Sequence, residues 1–323
     1  MLITNPQKNP GKEKNIPGKA PGQKNIKPGS CREESGLAGK RAGVEPVLET
    51  RKLCYRYPHL KENALESIDL KVYPGERIAV LGANGAGKST LFKHLNGILH
   101  PLSGEVLLKG EIISKKNMRV CRQTVGIVFQ DPDDQVLAPS VEEDVAFGPI
   151  NLGLPEVEVR ARVKEALELV GLSGFEERAP HHLSGGQKKL VAIAGILAMR
   201  PEVIVLDEPT AGLDPLSSAR VLELIMKMNE ELGITMLLST HEVDVVPYFA
   251  ERVVVLHHGR LEAEGGPEEI FSNPTLIGKA HLRLPRVAEV FELLRQDGVN
   301  AHIRITAETA KEEVLRLMQT GQE

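Results

Sequence analysis

A glycine-rich segment that contains one lysine is the part of this sequence best suited to chemistry. It follows a short apolar run at residues 78–81, whose β-branched members are typical of a buried parallel strand. Glycines let the backbone turn tightly and present its N–H groups to phosphate oxygens, and a helix that begins near Lys88 would add a favourable dipole. Lys88 should reach the β- and γ-phosphates of a nucleoside triphosphate, and the Ser89 hydroxyl should coordinate Mg²⁺. The predicted phosphate-binding residues are Gly82, Ala83, Asn84, Gly85, Ala86, Gly87, Lys88, Ser89 and Thr90.

Two neighbouring acidic residues, Asp207 and Glu208, follow a second apolar run at residues 203–206. Such a run predicts a buried strand, and the acids would then emerge at the carboxyl edge of the sheet, where open α/β sheets bind ligands. An aspartate there can hold Mg²⁺, and a glutamate beside it can orient and deprotonate an attacking water. Alone, this pattern is weak, because any strand can end in a solvated carboxylate. Since it comes after a phosphate-binding loop, it predicts nucleotide hydrolysis.

A third segment begins a helix with a polar, glycine-rich turn. The apolar stretch at residues 190–198 has little polar face, so we expect this helix to be mostly buried, and Pro201 lies just beyond its end. Amides at a helix N-terminus are available to bind an anion. A serine that only caps the helix would leave the glycines and the glutamine unexplained. The segment consists of Ser184, Gly185, Gly186 and Gln187.

Together, these three segments resemble the motifs of the ATP-binding subunits of ABC transporters, over roughly residues 46–271. The resemblance implies an α/β fold of the P-loop NTPase class, the ABC nucleotide-binding domain. Such a domain has a RecA-like core, a helical subdomain, here at about residues 131–198, and an antiparallel β subdomain. The resemblance also implies that residues 184–187 contact the nucleotide held by a neighbouring copy of the fold. The implied cofactors are ATP and Mg²⁺.

Four further positions match the family's motifs one by one. Gln130 resembles the Q-loop glutamine that senses Mg²⁺ and the γ-phosphate, and His241 resembles the switch histidine that contacts the γ-phosphate. Tyr57 resembles the aromatic residue that stacks on adenine. Asp214 ends a segment similar to the D-loop, which crosses the dimer interface. The resemblance therefore implies that the catalytic residues are Glu208, His241 and Gln130, and that the metal site consists of Ser89, Gln130 and Asp207.

The resemblance narrows to the energy-coupling-factor importers, and especially to their cobalt/nickel subgroup. It is carried by residues 130–135, 141–149, 191–195 and 282–287. It implies an ATP-hydrolysing subunit that powers the import of cobalt or nickel ions. The alternatives are a vitamin-uptake energy-coupling ATPase and an amino-acid importer subunit. A non-transport ABC ATPase is disfavoured, because the distance from Lys88 to Ser184 leaves no room for a long coiled coil or for zinc-binding cysteines.

A cluster of acidic residues, Asp131, Asp133 and Asp134, lies next to the Q-loop glutamine. These residues could pair with arginine on a docking helix of a membrane partner. Alternatively, they form an ordinary Asx-Pro turn on a solvated surface. The expected partners are a second ATP-binding subunit, which would form a homodimer, a transmembrane coupling subunit and a metal-binding membrane subunit.

Composition agrees with a soluble subunit, and the resemblance implies that it lies at the cytoplasmic face of the cell membrane as a peripheral protein. No apolar stretch in the 323 residues approaches the length of about 18 residues that is needed to span a bilayer. The N-terminus lacks the apolar core of a secretory signal. Cys31, Cys54 and Cys121 form neither a disulfide framework nor a zinc pattern. A net charge of -4 and an aromatic content of 3% give no reason to expect a nucleic-acid partner.

The two ends of the chain differ from its middle. Residues 1–45 are basic and rich in Pro and Gly, so we expect a disordered tail there. Residues 272–323 predict a short α/β C-terminal extension. It should contain a strand at residues 302–305 and a last helix capped by Thr309 and Glu312. Its first helix should have one apolar face, formed by Val287, Val290, Phe291 and Leu294, and should end near Gly298.

Overall fold

The computed structural model describes residues 43–320, without the side chain of Thr320. Nearly all of the expected N-terminal tail therefore lies outside the described residues. Within residues 43–320, the strands form two sheets. The strands are β1 Leu48–Tyr55, β2 Leu65–Val72, β3 Arg77–Leu81, β4 Ser103–Leu108, β5 Glu111–Ile112, β6 Val125–Val128, β7 Val203–Asp207, β8 Thr235–Ser239, β9 Arg252–His257 and β10 Arg260–Gly265.

A six-stranded sheet in the order β10-β9-β3-β8-β7-β6 forms the centre of the fold. Its strands are parallel except β10, which pairs antiparallel with β9. The parallel strands are continuous apolar runs because both of their faces are covered. In β7, Val203 and Val205 face one core while Ile204 and Leu206 face the other, as the alternation of side chains along a strand requires.

A four-stranded antiparallel sheet in the order β2-β1-β4-β5 shares a core with one face of the central sheet. Strand β1 pairs Leu48 with Val72 of β2 and with Leu108 of β4. The buried side chains of this second sheet pack with Ile78 and Val80 of β3. The expected α/β fold with a separate antiparallel sheet is confirmed.

Helices cover one face of the central sheet, and one helix lies in the core between the two sheets. They are α1 Lys88–Leu95, α2 Met118–Thr124, α3 Val141–Asn151, α4 Glu156–Leu169, α5 Gly185–Leu197, α6 Pro215–Leu232, α7 Val246–Phe249, α8 Pro267–Phe271, α9 Pro274–Lys279, α10 Arg286–Gln296 and α11 Ala307–Thr320. Helix α1 buries Leu91, Phe92 and Leu95 in the core between the two sheets. Helices α3, α4 and α5 pack together and contribute to the core on the opposite face of the central sheet. None of the helices within residues 43–320 combines the length and the apolar character that crossing a bilayer requires.

The C-terminal residues pack onto the same core as the central sheet, through side chains such as Phe291 and Ile303. In this described part of the chain, residues 302–305 form no strand, so that prediction is wrong. Ile303 and Ile305 are both buried, whereas His302 is exposed. Such alternation is typical of a strand, but residues 302–305 form an irregular segment whose two isoleucines pack on the core.

The last helix, α11, is capped by Thr306 rather than by Thr309 and Glu312. Oγ1 of Thr306 accepts the N–H of Thr309 at 3.3 Å, so the cap stands one helical turn earlier than predicted. Of the residues predicted to share one face of α10, Phe291 is buried, whereas Val290 is 56% exposed.

Candidate nucleotide-binding and hydrolysis site

The carboxyl ends of four adjacent parallel strands meet at one edge of the central sheet. Strand β3 leads into the phosphate-binding loop, and β6 is followed by Gln130. Strand β7 ends at Asp207, next to Glu208, and β8 is followed by His241. This is the edge at which open α/β sheets bind ligands. A groove of about 450 Å³ opens here, and its lining includes Tyr57, residues 84–90, Gln130 and Glu208.

Lys88, the first residue of α1, reaches back over the phosphate-binding loop. Its side chain is 6% exposed, and Nζ donates hydrogen bonds to the carbonyl oxygens of Gly82 at 2.8 Å and of Ala83 at 3.2 Å. Burial lowers the pKa of Lys88, and the charges of Glu208 and Asp207 oppose that shift. The ammonium group is thus held where phosphate oxygens can replace the two carbonyls as its partners.

The loop ends at a position that only glycine can fill. The φ of Gly87 is 108°, which side chains rarely tolerate. A Cβ there would lie 2.7 Å from the carbonyl oxygen of Ala64 and 2.9 Å from Cδ2 of Leu65. The start of β2 therefore approaches the loop more closely than any side chain would allow.

Glu208 lies at the centre of the site. Its Oε1 is 2.6 Å from Nε2 of His241, and Nε2 of Gln130 donates to its Oε2 at 3.1 Å. Nζ of Lys88 lies 4.0 Å from Oε1. The structure therefore brings the predicted catalytic residues Glu208, His241 and Gln130 together beside Lys88, the lysine predicted to bind phosphate.

Ser239 holds both acidic residues, although no sequence pattern pointed to it. Its hydroxyl donates to Oδ1 of Asp207 at 2.6 Å and accepts the N–H of Glu208 at 3.0 Å. The same N–H also lies 3.2 Å from the carbonyl oxygen of Ser239. Glu208 has a φ of 47°, in the left-handed region that residues other than glycine rarely adopt. The one signal in the sequence is a serine at the end of an apolar run, just before Thr240 and His241.

Oxygen donors suited to Mg²⁺ flank the loop lysine and the central glutamate. Ser89 offers a hydroxyl, Asp207 a carboxylate and Gln130 a side-chain amide oxygen, and Mg²⁺ prefers hard oxygen ligands. Asp207 is 6% exposed, and the hydrogen bond from Ser239 already orients its carboxylate. The donor set therefore fits Mg²⁺.

A ladder of aromatic side chains fixes Tyr57 in the wall of the groove. The hydroxyl of Tyr57 lies 3.2 Å from Oγ1 of Thr90, and its ring meets that of Tyr55 edge to face, with centroids 5.0 Å apart. Tyr55 contacts the buried ring of His94 in the same way, at 4.7 Å. Burial lowers the pKa of His94, and Nδ1 of this ring lies 2.7 Å from the carbonyl oxygen of Thr90. Tyr55 and His94, which no motif identified, thus position the ring expected to stack on adenine.

Residues 184–187 lie outside this groove, at the N-terminus of α5. Oγ of Ser184 accepts the N–H of Gln187 at 3.3 Å, and Oε1 of Gln187 accepts the N–H of Ser184 at 3.0 Å. The N–H groups of Gly185 and Gly186 take no part in this capping box. A helix terminus with such amides favours an anion.

Asp214 lies beside these residues, and we call residues 184–187 together with Asp214 the second surface. Oδ1 of Asp214 accepts the N–H groups of Leu216 and Ser217, both at 3.0 Å, and so caps α6. The hydroxyl of Ser217 donates to Oδ2 at 2.5 Å and lowers the pKa of Asp214. A Cβ on Gly186 would lie 3.0 Å from Oγ of Ser217, so the two segments pack closely. Within residues 43–320, the predicted ATP-binding residues therefore divide between the groove and the second surface.

The acidic cluster makes contacts within the chain. Oδ1 of Asp131 accepts the N–H of Asp133 at 2.9 Å, as in an Asx turn. Oδ1 of Asp133 lies 2.6 Å from Nζ of Lys188, although the Asp133 side chain remains 66% exposed. Asp134 is also exposed. The turn interpretation therefore describes Asp131, and all three acidic residues are exposed.

Known proteins resemble this chain in sequence and in fold. Residues 65–211 match the family described as ABC transporter. The chain is 57% identical to the energy-coupling factor transporter ATP-binding protein EcfA of Methanocaldococcus jannaschii over 252 residues, which are 77% of this chain and 90% of that protein. The solved structure of cbiO1 from Clostridium perfringens, part of the ABC transporter complex cbiONQ, is 45% identical with a TM-score of 0.66, and the match covers 77% of this chain and 99% of that one. A dimeric ATP-binding cassette bound to ADP and Pi, in a post-hydrolysis state, is 30% identical with a TM-score of 0.61, over 68% of this chain and 98% of that one.

Proposed function

This chain belongs to the ATP-binding subunits of ABC transporters, as an ATPase of the energy-coupling-factor type, and we propose that two copies of it power a cobalt or nickel importer. Each of two ATP molecules would lie between the groove of one copy and the second surface of the other. The pair would work at the cytoplasmic face of the cell membrane. Its partners there would be a transmembrane coupling subunit and a metal-binding membrane subunit.

The division of the ATP-binding residues between the groove and the second surface carries this proposal. Ser184 and Gly185 are exposed and do not line the described groove that contains Lys88. Their helix terminus is suited to phosphate oxygens, yet it does not line the groove of its own chain. A second copy related by two-fold symmetry would complete both sites in the same way.

In each site, Glu208 would accept a proton from the attacking water. Gln130 and His241, which contact the Glu208 carboxylate directly, would orient the γ-phosphate and that water. Lys88 would hold the β- and γ-phosphates, and Tyr57 the adenine. Mg²⁺, held by Ser89, Asp207 and Gln130, would neutralise negative charge on the phosphates.

The mutation Glu208→Gln tests this assignment. The amide keeps the size of the side chain but cannot accept the proton, so ATP binding should persist while turnover falls by about 10²- to 10⁴-fold. The purified variant should form a stable dimer in ATP, measured by size-exclusion chromatography. Glu202→Gln is the control, because Glu202 precedes the same strand but is exposed, and it should hydrolyse ATP normally. Steady hydrolysis by Glu208→Gln at the parental rate would contradict the proposal.

The choice of cobalt or nickel is supported by the resemblance of residues 130–135 and 282–287 to that subgroup of importers. In this scheme the transported ion never touches the chain, so only the complete complex can report it. The test is ATP-dependent uptake into vesicles that contain the complex, with Co²⁺, Ni²⁺ and a vitamin as alternative cargoes. Uptake of either ion supports the proposal, and uptake of the vitamin alone would select the alternative importer.

A further inference from the structure

A buried lysine joins the second surface to the groove. Lys189 is the fifth residue of α5 and is fully buried, with 0% of the residue exposed. Its Nζ donates to the carbonyl oxygen of Phe129 at 3.0 Å and to that of Gln130 at 2.5 Å. A buried charge is stable only when it is well paired with polar partners, so this side chain must hold these two carbonyls closely.

The neighbouring lysine shows that this arrangement is not a general property of the helix surface. Nζ of Lys188 forms an ion pair with Asp133, whose side chain is largely exposed. Lys189 instead points inward, where burial lowers its pKa to about 8, and the charges of Asp131 and Asp207 oppose that shift. The adjacent residues therefore have different environments, and only Lys189 contacts the backbone of the segment that carries Gln130.

A continuous chain of contacts leads from the helix terminus to the central glutamate. Gly185 and Lys189 are four residues apart on α5 and so lie on the same side of the helix. Lys189 holds the backbone of Gln130, and Nε2 of Gln130 donates to Glu208 at 3.1 Å. A shift of the start of α5 would therefore be passed to Glu208 through Lys189 and Gln130.

We propose that Lys189 is a positioning residue that couples the two ATP sites of the dimer. This coupling rests on the proposed function: when the second surface closes on the partner's nucleotide, α5 moves. Lys189 passes that movement to Gln130 in the chain's own groove. Glu208 is then correctly positioned only when the second surface is engaged, so the two sites hydrolyse ATP cooperatively.

The test compares Lys189→Met and Lys189→Gln with the control Lys188→Met, each in the complete transporter complex. Methionine keeps the length of the side chain without a donor, and glutamine supplies a shorter neutral donor. Both Lys189 variants should bind ATP within about twofold of the parent, while kcat falls on the order of tenfold, within the range of typical coupling factors. Their Hill coefficients for ATP should fall toward one, whereas Lys188→Met should keep the parental value.

A double-mutant cycle with Gln130→Ala decides whether Lys189 acts through Gln130. If it does, adding Lys189→Met to Gln130→Ala should cause little further loss, because the route is already interrupted. Additive losses in kcat would overturn the inference. So would an equal loss of ATP binding and hydrolysis in both Lys189 variants, since that result indicates a merely structural role.

Two different results would overturn the coupling and the proposed function. A parental complex that forms the ATP-dependent dimer but hydrolyses ATP with a Hill coefficient of one would overturn the coupling alone. A Glu208→Gln subunit that never dimerises in ATP would overturn the proposed function itself.

Discussion

At the scale of single residues, the hydroxyl of Ser239 sets the geometry of both acids in the groove. It binds the Asp207 carboxylate and the Glu208 N–H at the same time. A left-handed backbone conformation outside glycine costs about 1–3 kcal/mol and persists only when its surroundings hold it. The two acceptors of Ser239, its hydroxyl and its carbonyl, are the contacts that hold Glu208 in this conformation.

Ser239→Ala should therefore slow hydrolysis without preventing ATP binding. Removal of a side chain that orients a metal ligand typically costs about 10- to 100-fold in activity or metal affinity. We expect a loss of kcat in that range and a higher Mg²⁺ requirement, both measured in steady-state assays. Ser218→Ala, which removes a buried hydroxyl from α6, is the matched control. Parental kcat and Mg²⁺ dependence in Ser239→Ala would show that the hydroxyl does not position the acids.

Residues within one contiguous motif could be predicted from the sequence, whereas residues whose partners lie in distant segments could not. The phosphate-binding loop is one segment, so its types and spacing identify it. Ser239 and Lys189 acquire their partners only when distant segments fold together. Nothing in the sequence distinguishes Lys188, which is partly exposed, from Lys189, which is fully buried.

At the scale of elements, the C-terminal extension is held by a buried carboxylate on α11. Glu313 is 1% exposed and contacts Arg316 at 2.5 Å and His302 at 3.3 Å. The hydrogen bond from Arg316 is the main cause that lowers the pKa of Glu313 from 4.5 to about 2. Glu313 also accepts the backbone N–H of His302 at 2.7 Å, so α11 is tied to the irregular segment before it.

Acidification should loosen α11 before it unfolds the central sheet. Because the folded pKa of Glu313 lies below its ordinary value, its stabilising contribution is complete above pH 4.5 and is lost as the pH falls toward 2. Amide hydrogen exchange of α11 should speed up over this window. Glu313→Gln should show faster exchange already at neutral pH and a weaker pH dependence, while Glu312→Gln, on the exposed side, should match the parent. Identical pH profiles for Glu313→Gln and the parent would contradict this account.

The parallel strands were the easiest elements to predict, and the C-terminal elements the hardest. Strand β7 is an apolar run buried on both faces, which is a strong local signal. Residues 302–305 alternate in polarity because Ile303 and Ile305 pack in a core to which distant helices contribute. Local alternation cannot distinguish that packing from a strand, since pairing with another strand depends on the rest of the fold.

At the scale of the whole molecule, we propose that the exposed acids beside the groove contact a membrane subunit. Asp133 and Asp134 face solvent next to Gln130, so a partner that binds there would move with the catalytic residues. Exposed apolar side chains on the same part of the chain, Leu137 at 78% and Phe147 at 70%, would add to such an interface. The sequence indicated the acids but not the neighbouring apolar side chains.

Reversing this charge should weaken the complex. Asp133→Lys with Asp134→Lys should reduce recovery of the membrane subunits by about tenfold or more in co-purification, because like charges replace complementary ones. ATP hydrolysis by the isolated subunit should change little. Glu289→Lys with Asp297→Lys, an equal charge change at exposed positions near the C-terminus, is the control. Unchanged recovery would remove the docking role and leave the ATPase assignment intact.

Site-specific crosslinking tests most directly the proposed pairing of two copies around ATP. One tagged chain would carry Asn84→Cys in the groove, and another would carry Ser184→Cys in the second surface. Both would contain Glu208→Gln, and Cys31, Cys54 and Cys121 would be replaced by serine. We predict that a short bifunctional reagent joins the two differently tagged chains only when ATP is present. Crosslinks that do not depend on ATP, or that form only within a single chain carrying both cysteines, would contradict the account.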